Sequence, residues 1–91
     1  MMSTIWVFVA NGASLPSGVF RGQDSAKEWI KKYSLSGLLT EYPIDVGVYD
    51  WAIGKGLFNP RFPSQQSSEF IGKFTSAYLN HIHFENGAES S

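Results

Sequence analysis

The pattern of apolar and polar positions predicts three elements in the first third of the chain. Residues 4–10 are apolar on both faces of a period-two pattern, which is typical of a strand covered on both sides and central in its sheet. Residues 19–21 form a short second strand, close enough for an antiparallel hairpin. A helix follows, capped by Asp24 or Ser25, and Ser25 with Glu28 has capping-box spacing. The helix face predicted to contact the sheet carries Ala26, Trp29, Ile30 and Tyr33.

The middle of the chain predicts a strand, a turn and a short helix. The strand covers residues 38–44, and its Pro43 cannot donate to a ladder, which places that end at a sheet edge or a strand terminus. Residues 45–47 turn the chain. The helix over residues 49–55 ends at Gly56, the residue type that favours a left-handed C-cap.

The last third predicts one more helix and one more strand. After a loop over residues 57–66, Ser67 or Ser68 caps a helix. Residues 80–85 alternate as a half-exposed final strand, and the polar residues 86–91 are expected to be a disordered tail. The apolar stripe of the last helix is predicted to be Phe70, Ile71, Phe74, Ala77 and Tyr78.

Together these elements predict an α+β fold. The order is β-β-α-β-α-α-β, with a sheet of about four strands and the helices packed mainly on one face. We expect residues 1–91 to form a single domain with a structured core over residues 4–85, because the chain shows neither an internal repeat nor a linker.

Composition narrows the function classes. Seven Phe, four Tyr and three Trp compensate for the thin core of so short a chain, and the absence of Cys rules out disulfides and thiolate metal sites. A net charge of -1 provides no positive field for nucleic acid. Neither a membrane-spanning stretch nor a cofactor motif is present, so we expect a cytoplasmic protein without a cofactor.

The segment 42–53 concentrates acidic and aromatic residues between a strand and a helix. Asp45 and Asp50 have two interpretations: an acid/base pair, or a turn residue and a carboxylate at a helix N-terminus, which we favour. Since loops held by a scaffold often carry function, we predict a partner-binding surface made of Asp45, Tyr49, Asp50, Trp51 and Phe58.

Aromatic residues are expected both in the core and at the surface. We predict that Trp6 or Phe8 is buried together with Trp29 and Phe74. Tyr49 or Phe62 is the ring predicted to be partly exposed.

His81 and His83 alternate on the predicted last strand, so both imidazoles share one face. Glu85 continues this face, and Asp45 or Asp50 is a further oxygen ligand if that loop packs nearby. One interpretation is a metal site, for which these are weak candidates. The alternative, which we favour, is a polar edge that keeps the final strand from pairing with other chains.

Several segments together resemble a family of small bacterial proteins of unknown function. They are SGVF at 17–20, AKEWI at 26–30, YPIDVGVYDWAI at 42–53, FTSA at 74–77 and HIHFENG at 81–87. The resemblance spans residues 5–87 and implies one compact α+β domain without an assigned activity. We expect a small non-enzymatic interaction or regulatory protein with a protein partner. The alternative is a metal-dependent or acid/base enzyme that uses His81, His83, Asp45 and Asp50.

Overall fold

The computed structural model describes residues 3–90, which form two compact units. The sheet unit comprises residues 3–44 and 79–90, and the helical unit comprises Asp45–Tyr78. The sheet unit contains β1 (Thr4–Ala10), β2 (Gly18–Phe20), α1 (Gln23–Lys32), β3 (Gly37–Pro43), β4 (His81–Glu85) and β5 (Ala88–Ser90). The helical unit contains α2 (Val48–Gly54), a 3-10 helix (Pro63–Gln66) and α3 (Ser68–Lys73).

The sheet unit is built on an antiparallel sheet with the strand order β2-β1-β3-β4-β5. This confirms the α+β fold class, with five strands where the sequence predicted about four. The interior position predicted for β1 is also confirmed, because β2 and β3 pair with its two edges.

The core of the sheet unit lies between α1 and one face of the sheet. Large side chains alternate inward along the strands, as the period of a strand requires, and α1 covers them. The buried members are Trp6, Phe8, Ala26, Ile30, Leu39 and Phe84. Burial of Trp6 and Phe8 is thus confirmed.

Helix α1 differs from its prediction at the N-terminal end. Its N-cap is Gly22, and Ser25 forms no capping box; its hydroxyl donates to the Gly22 carbonyl at 3.2 Å. The helix begins earlier than predicted, so Ser25 lies inside its first turn. Ala26 and Ile30 are fully buried, whereas Trp29 is half-buried and Tyr33 is 56% exposed. Packing on the sheet is therefore confirmed for Ala26, Ile30 and Trp29, whereas the predicted burial of Trp29 is wrong, because the buried row runs through Ala26 and Ile30 and leaves Trp29 and Tyr33 at its margin.

The tail prediction is wrong for residues 86–90; Ser91 lies outside the described residues. β5 pairs with β4 across a two-residue turn in which Asn86 has φ 51° and Gly87 has φ 87°. An Asn-Gly pair with two positive φ angles is the turn that matches the twist of a hairpin. The turn is fixed by hydrogen bonds from its two amides, Asn86 N to Ser36 Oγ and Gly87 N to Leu35 O, both at 2.9 Å.

The helical unit has the predicted caps. Gly56 has φ 73°, and the amides of Gly56 and Leu57 donate to carbonyls of α2, which confirms the left-handed C-cap. Ser67 caps α3 by accepting a hydrogen bond from the Phe70 amide at 3.1 Å. Because α3 ends at Lys73, the predicted stripe stops short: Ala77 and Tyr78 lie beyond the helix, and Tyr78 is 70% exposed.

Within residues 3–90, every helix is too short or too polar to span a bilayer.

Candidate functional site

The two carboxylates of the 42–53 segment are displayed to solvent. Asp45 follows the end of β3 and has φ 66°, a left-handed conformation that Asp adopts more readily than most residues. Asp50 lies in the first turn of α2, where its negative charge favours the positive end of the helix dipole. Both positions agree with the structural roles that the sequence favoured.

Tyr49 is the residue of this segment that the structure buries. Its side chain is only 8% exposed, so its predicted display at the binding surface is wrong, and of the two rings predicted as alternatives for exposure it is not the accessible one. The hydroxyl donates a hydrogen bond of 2.9 Å to the Gln65 carbonyl in the 3-10 helix. Tyr49 thus connects α2 to the segment that precedes α3.

The Tyr49 ring belongs to a four-ring cluster that forms the interior of the helical unit. Its members are Tyr49, Phe58, Phe70 and Phe74, and every pair of rings has centroids between 4.8 and 6.3 Å apart. Such spacings are those of attractive edge-to-face and offset ring pairs. Phe58 and Phe74 are half-buried within the cluster, as is Phe70. Tyr49 and Phe58 were predicted to belong to the binding surface. Their rings instead pack in this cluster, beneath the surface of the helical unit.

The side chain of Gln65 holds the loop after α2 in place. The Gln65 amide oxygen accepts hydrogen bonds from the backbone amides of Arg61 and Phe62, at 2.7 and 3.3 Å. Phe62 itself is 60% exposed, which confirms it as the accessible ring. A fixed backbone therefore presents a large apolar side chain to solvent.

Two further apolar side chains, one in α2 and one just after it, are exposed, and the sequence singled out neither as a surface residue. Ile53 and Leu57 are each 38% exposed. On α2, Tyr49 and Ala52 are buried, while Asp50 and Ile53 are exposed three residues apart. Residues spaced by three share one side of a helix. The sequence carried no signal that separates Ile53 from Tyr49, because residues four apart also share one side of a helix. Trp51 is half-buried.

A groove of about 430 Å³ lies on the helical unit beside α3. The rings of Phe70 and Phe74 line it together with Ser64, Ser67, Glu69 and Lys73. Two rings of the four-ring cluster, Phe70 and Phe74, are therefore accessible through this groove.

In the sheet unit, His81, His83 and Glu85 alternate along β4 and are all exposed. The two imidazole centroids are 5.4 Å apart, with their planes nearly perpendicular. Since β4 pairs with both β3 and β5, it is an interior strand. The favoured interpretation of the histidines as a protective edge is therefore wrong. Within residues 3–90, no three His, Cys, Asp or Glu side chains are grouped closely enough to hold a metal ion.

Glu41 is the carboxylate with the clearest electrostatic role in the sheet unit. It accepts hydrogen bonds from Asn80 Nδ2 at 2.9 Å and from Thr4 Oγ1 at 2.5 Å, which link β3 to the residues at the starts of β4 and β1. These two hydrogen bonds, the Asn80 bond first, lower the pKa of Glu41, against a small opposing effect of burial. The charged form therefore stabilises this corner of the sheet.

One family model, described as "Domain of unknown function (DUF7710)", matches residues 5–90. The chain belongs to this family. The match to DUF7710 covers nearly all described residues, includes elements of both units, and confirms the resemblance to a family without an assigned function. No curated protein and no solved structure matches the chain.

Proposed function

We propose that this chain is a small non-enzymatic interaction or regulatory protein of the bacterial cytoplasm that binds a partner protein through its helical unit. The observation that carries the proposal is that Ile53, Leu57 and Phe62 are exposed to solvent on a backbone held by hydrogen bonds. Aromatic and other apolar side chains at the centre of an interface contribute most of the binding energy. Exposed apolar side chains contribute little to the stability of the free chain. Their exposure is therefore better explained by binding of a partner.

The backbone around these three side chains is held in a defined conformation. The cap at Gly56 fixes the exit from α2, and the Gln65 side chain holds the amide of Phe62. The hydroxyl of Tyr49 connects the two ends of this stretch through the Gln65 carbonyl. A surface ordered before binding loses less conformational entropy when the partner arrives, so its apolar contacts convert more fully into affinity.

The charge around the apolar side chains suggests the chemistry of the partner. Asp50 and Ile53 are exposed three residues apart on α2, and Asp45 is exposed just before that helix. A partner segment that combines Lys or Arg with an apolar side chain complements this arrangement. Charges at the rim of such an interface act chiefly on the association rate and on partner choice.

The first test is a pull-down from a bacterial lysate with the tagged full chain and with its variants. The second test maps the binding surface by NMR. We expect a stoichiometric partner that is lost with Phe62→Asp and Ile53→Asp. A matched control is Leu15→Asp, because Leu15 is 76% exposed but belongs to the sheet unit. Retention of the partner by Phe62→Asp and Ile53→Asp, with loss by Leu15→Asp, would contradict the proposal.

Mapping with the purified partner supplies the second readout. Amide chemical-shift changes should fall in residues 45–51 and 57–63. Changes confined to the face of α1 that carries Lys27, Lys31 and Lys32, with residues 45–51 silent, would assign the partner to the sheet unit and contradict the proposal.

A further inference from the structure

His81 and His83 occupy alternate positions on β4, opposite Thr40 and Leu38 of β3. Alternate residues of a strand point to the same face, so both imidazoles project from the same side of the sheet. Both side chains are exposed on a strand that is paired along both edges. Protection of an edge therefore does not explain why two imidazoles stand together here.

The distance between the rings fits a shared ion. With about 2.0 Å from a zinc ion to each ring nitrogen and roughly 1.2 Å more to each ring centroid, two imidazoles at a tetrahedral angle have centroids about 5.2 Å apart. The observed separation of the centroids is 5.4 Å. The spacing of the two rings is therefore that of a pair of imidazoles on one ion.

The orientation of His81 is the second, independent observation. Its Nδ1 lies 2.8 Å from the Leu79 carbonyl oxygen. Because a carbonyl only accepts hydrogen bonds, Nδ1 carries the proton and Nε2 of the neutral ring keeps its lone pair. Histidines that bind metals typically donate their other ring N–H to a carbonyl or carboxylate in this way, which fixes the tautomer.

The surroundings of His83 leave room for water on the ion. His83 lines a polar cleft of about 380 Å³, together with Ser36, Glu85, Asn86 and other polar groups. Since no third His, Cys, Asp or Glu of the described chain completes a ligand group, the two histidines are the protein ligands and water takes the other positions. Imidazole ligands suit Zn²⁺, Ni²⁺ and Cu²⁺, whereas Mg²⁺ and Ca²⁺ prefer oxygen.

We propose that His81, through Nε2, and His83, through one ring nitrogen, bind a single Zn²⁺, Ni²⁺ or Cu²⁺ ion on the exposed face of β4. The ion keeps open coordination positions, so an oxygen or nitrogen ligand from solution can replace a bound water. The site belongs to the sheet unit, whereas the proposed partner surface belongs to the helical unit.

The experiment is calorimetric titration of the chelator-treated full chain with NiCl₂, ZnCl₂ and CuSO₄, with MgCl₂ as the metal control. We expect one ion per chain with micromolar affinity. His81→Ala and His83→Ala should each weaken binding by at least about tenfold, whereas Glu28→Gln, at an exposed position of α1, leaves it unchanged. Ring ¹⁵N resonances of both histidines should respond to Zn²⁺, and the backbone spectra of the variants should stay native.

The proposal is overturned by absence of binding up to millimolar metal, or by binding that survives both histidine substitutions. It is also overturned by loss of binding in only one of the two variants, because a single imidazole then accounts for the affinity.

Discussion

The hydroxyl of Tyr49 offers the sharpest test of how the helical unit is held together. The substitution Tyr49→Phe keeps the ring in the four-ring cluster and removes only the 2.9 Å hydrogen bond to the Gln65 carbonyl. A neutral hydrogen bond contributes about 0.5–1.5 kcal/mol. Since this one is only partly buried, water can hydrate the Gln65 carbonyl in the variant. We therefore expect a loss of about 1 kcal/mol, from the middle of that range.

Removal of the ring provides the upper bound. Tyr49 contacts three other rings, so Tyr49→Ala should cost about 3–5 kcal/mol, as truncation of a buried aromatic side chain usually does. The matched control is Tyr78→Phe, in the same unit, whose side chain is 70% exposed. That change should stay within about 0.5 kcal/mol.

The assay is native-state hydrogen exchange, which reports the free energy of opening at each amide. In Tyr49→Phe, amides of α2 and of the 3-10 helix should exchange faster by the factor that corresponds to about 1 kcal/mol, roughly fivefold. Equal exchange in Tyr49→Phe and Tyr78→Phe would refute the reasoning, because the hydroxyl would then contribute nothing that an exposed one does not.

Three further predictions concern the sheet unit. Trp29→Ala should cost at most about 3 kcal/mol in urea unfolding, since the side chain is only half-buried; a larger loss would mean that it belongs to the core. Gly37→Ala should cost about 3 kcal/mol in the same assay, because a Cβ there would lie 2.7 Å from Ala10 Cα and 2.8 Å from Phe8 Cζ; a variant as stable as the parent would contradict these contacts. Because hydrogen bonds lower the pKa of Glu41, its stabilisation is complete above the unfolded pKa and is lost as pH falls through the folded pKa. Unfolding free energies measured between about pH 6 and pH 2 should therefore show a shallower acid loss in Glu41→Gln than in the parent, and parallel curves would disprove the role of this carboxylate.

The hydrophobic pattern was sufficient for the elements whose period is clear and whose caps carry their own chemistry. β1 is apolar on both faces and is interior, and Ser67 and Gly56 cap the helices as predicted. The pattern could not show how far a helix face is buried, because that depends on where the sheet ends. Trp29 packs edge-on against Phe8 and tilted against Phe20, at the margin of the core.

The hairpin at the end of the chain could have been predicted from the sequence. The polar composition of residues 86–91 led instead to the wrong prediction of a disordered tail. Asn86-Gly87 after an alternating strand is a strong local signal for a two-residue turn, but the polar residues around it suggested a tail. The exposed face of α2 was harder to foresee. Tyr49 and Ile53 are both apolar, and only the presence of Phe58, Phe70 and Phe74 around Tyr49 determines which of the two is buried.

The insertion of the helical unit between β3 and β4 has a consequence for the order of folding. The pairs β1–β2 and β1–β3 join strands within the first 44 residues, whereas β4 reaches β3 only after the chain has passed through Asp45–Tyr78. Closing that longer loop costs more chain entropy than closing the earlier ones. The three N-terminal strands and α1 should therefore assemble first, with the C-terminal hairpin added last. A permuted chain that begins at β4 and continues through a short linker into β1 would reverse this sequence of events and leave the same sheet.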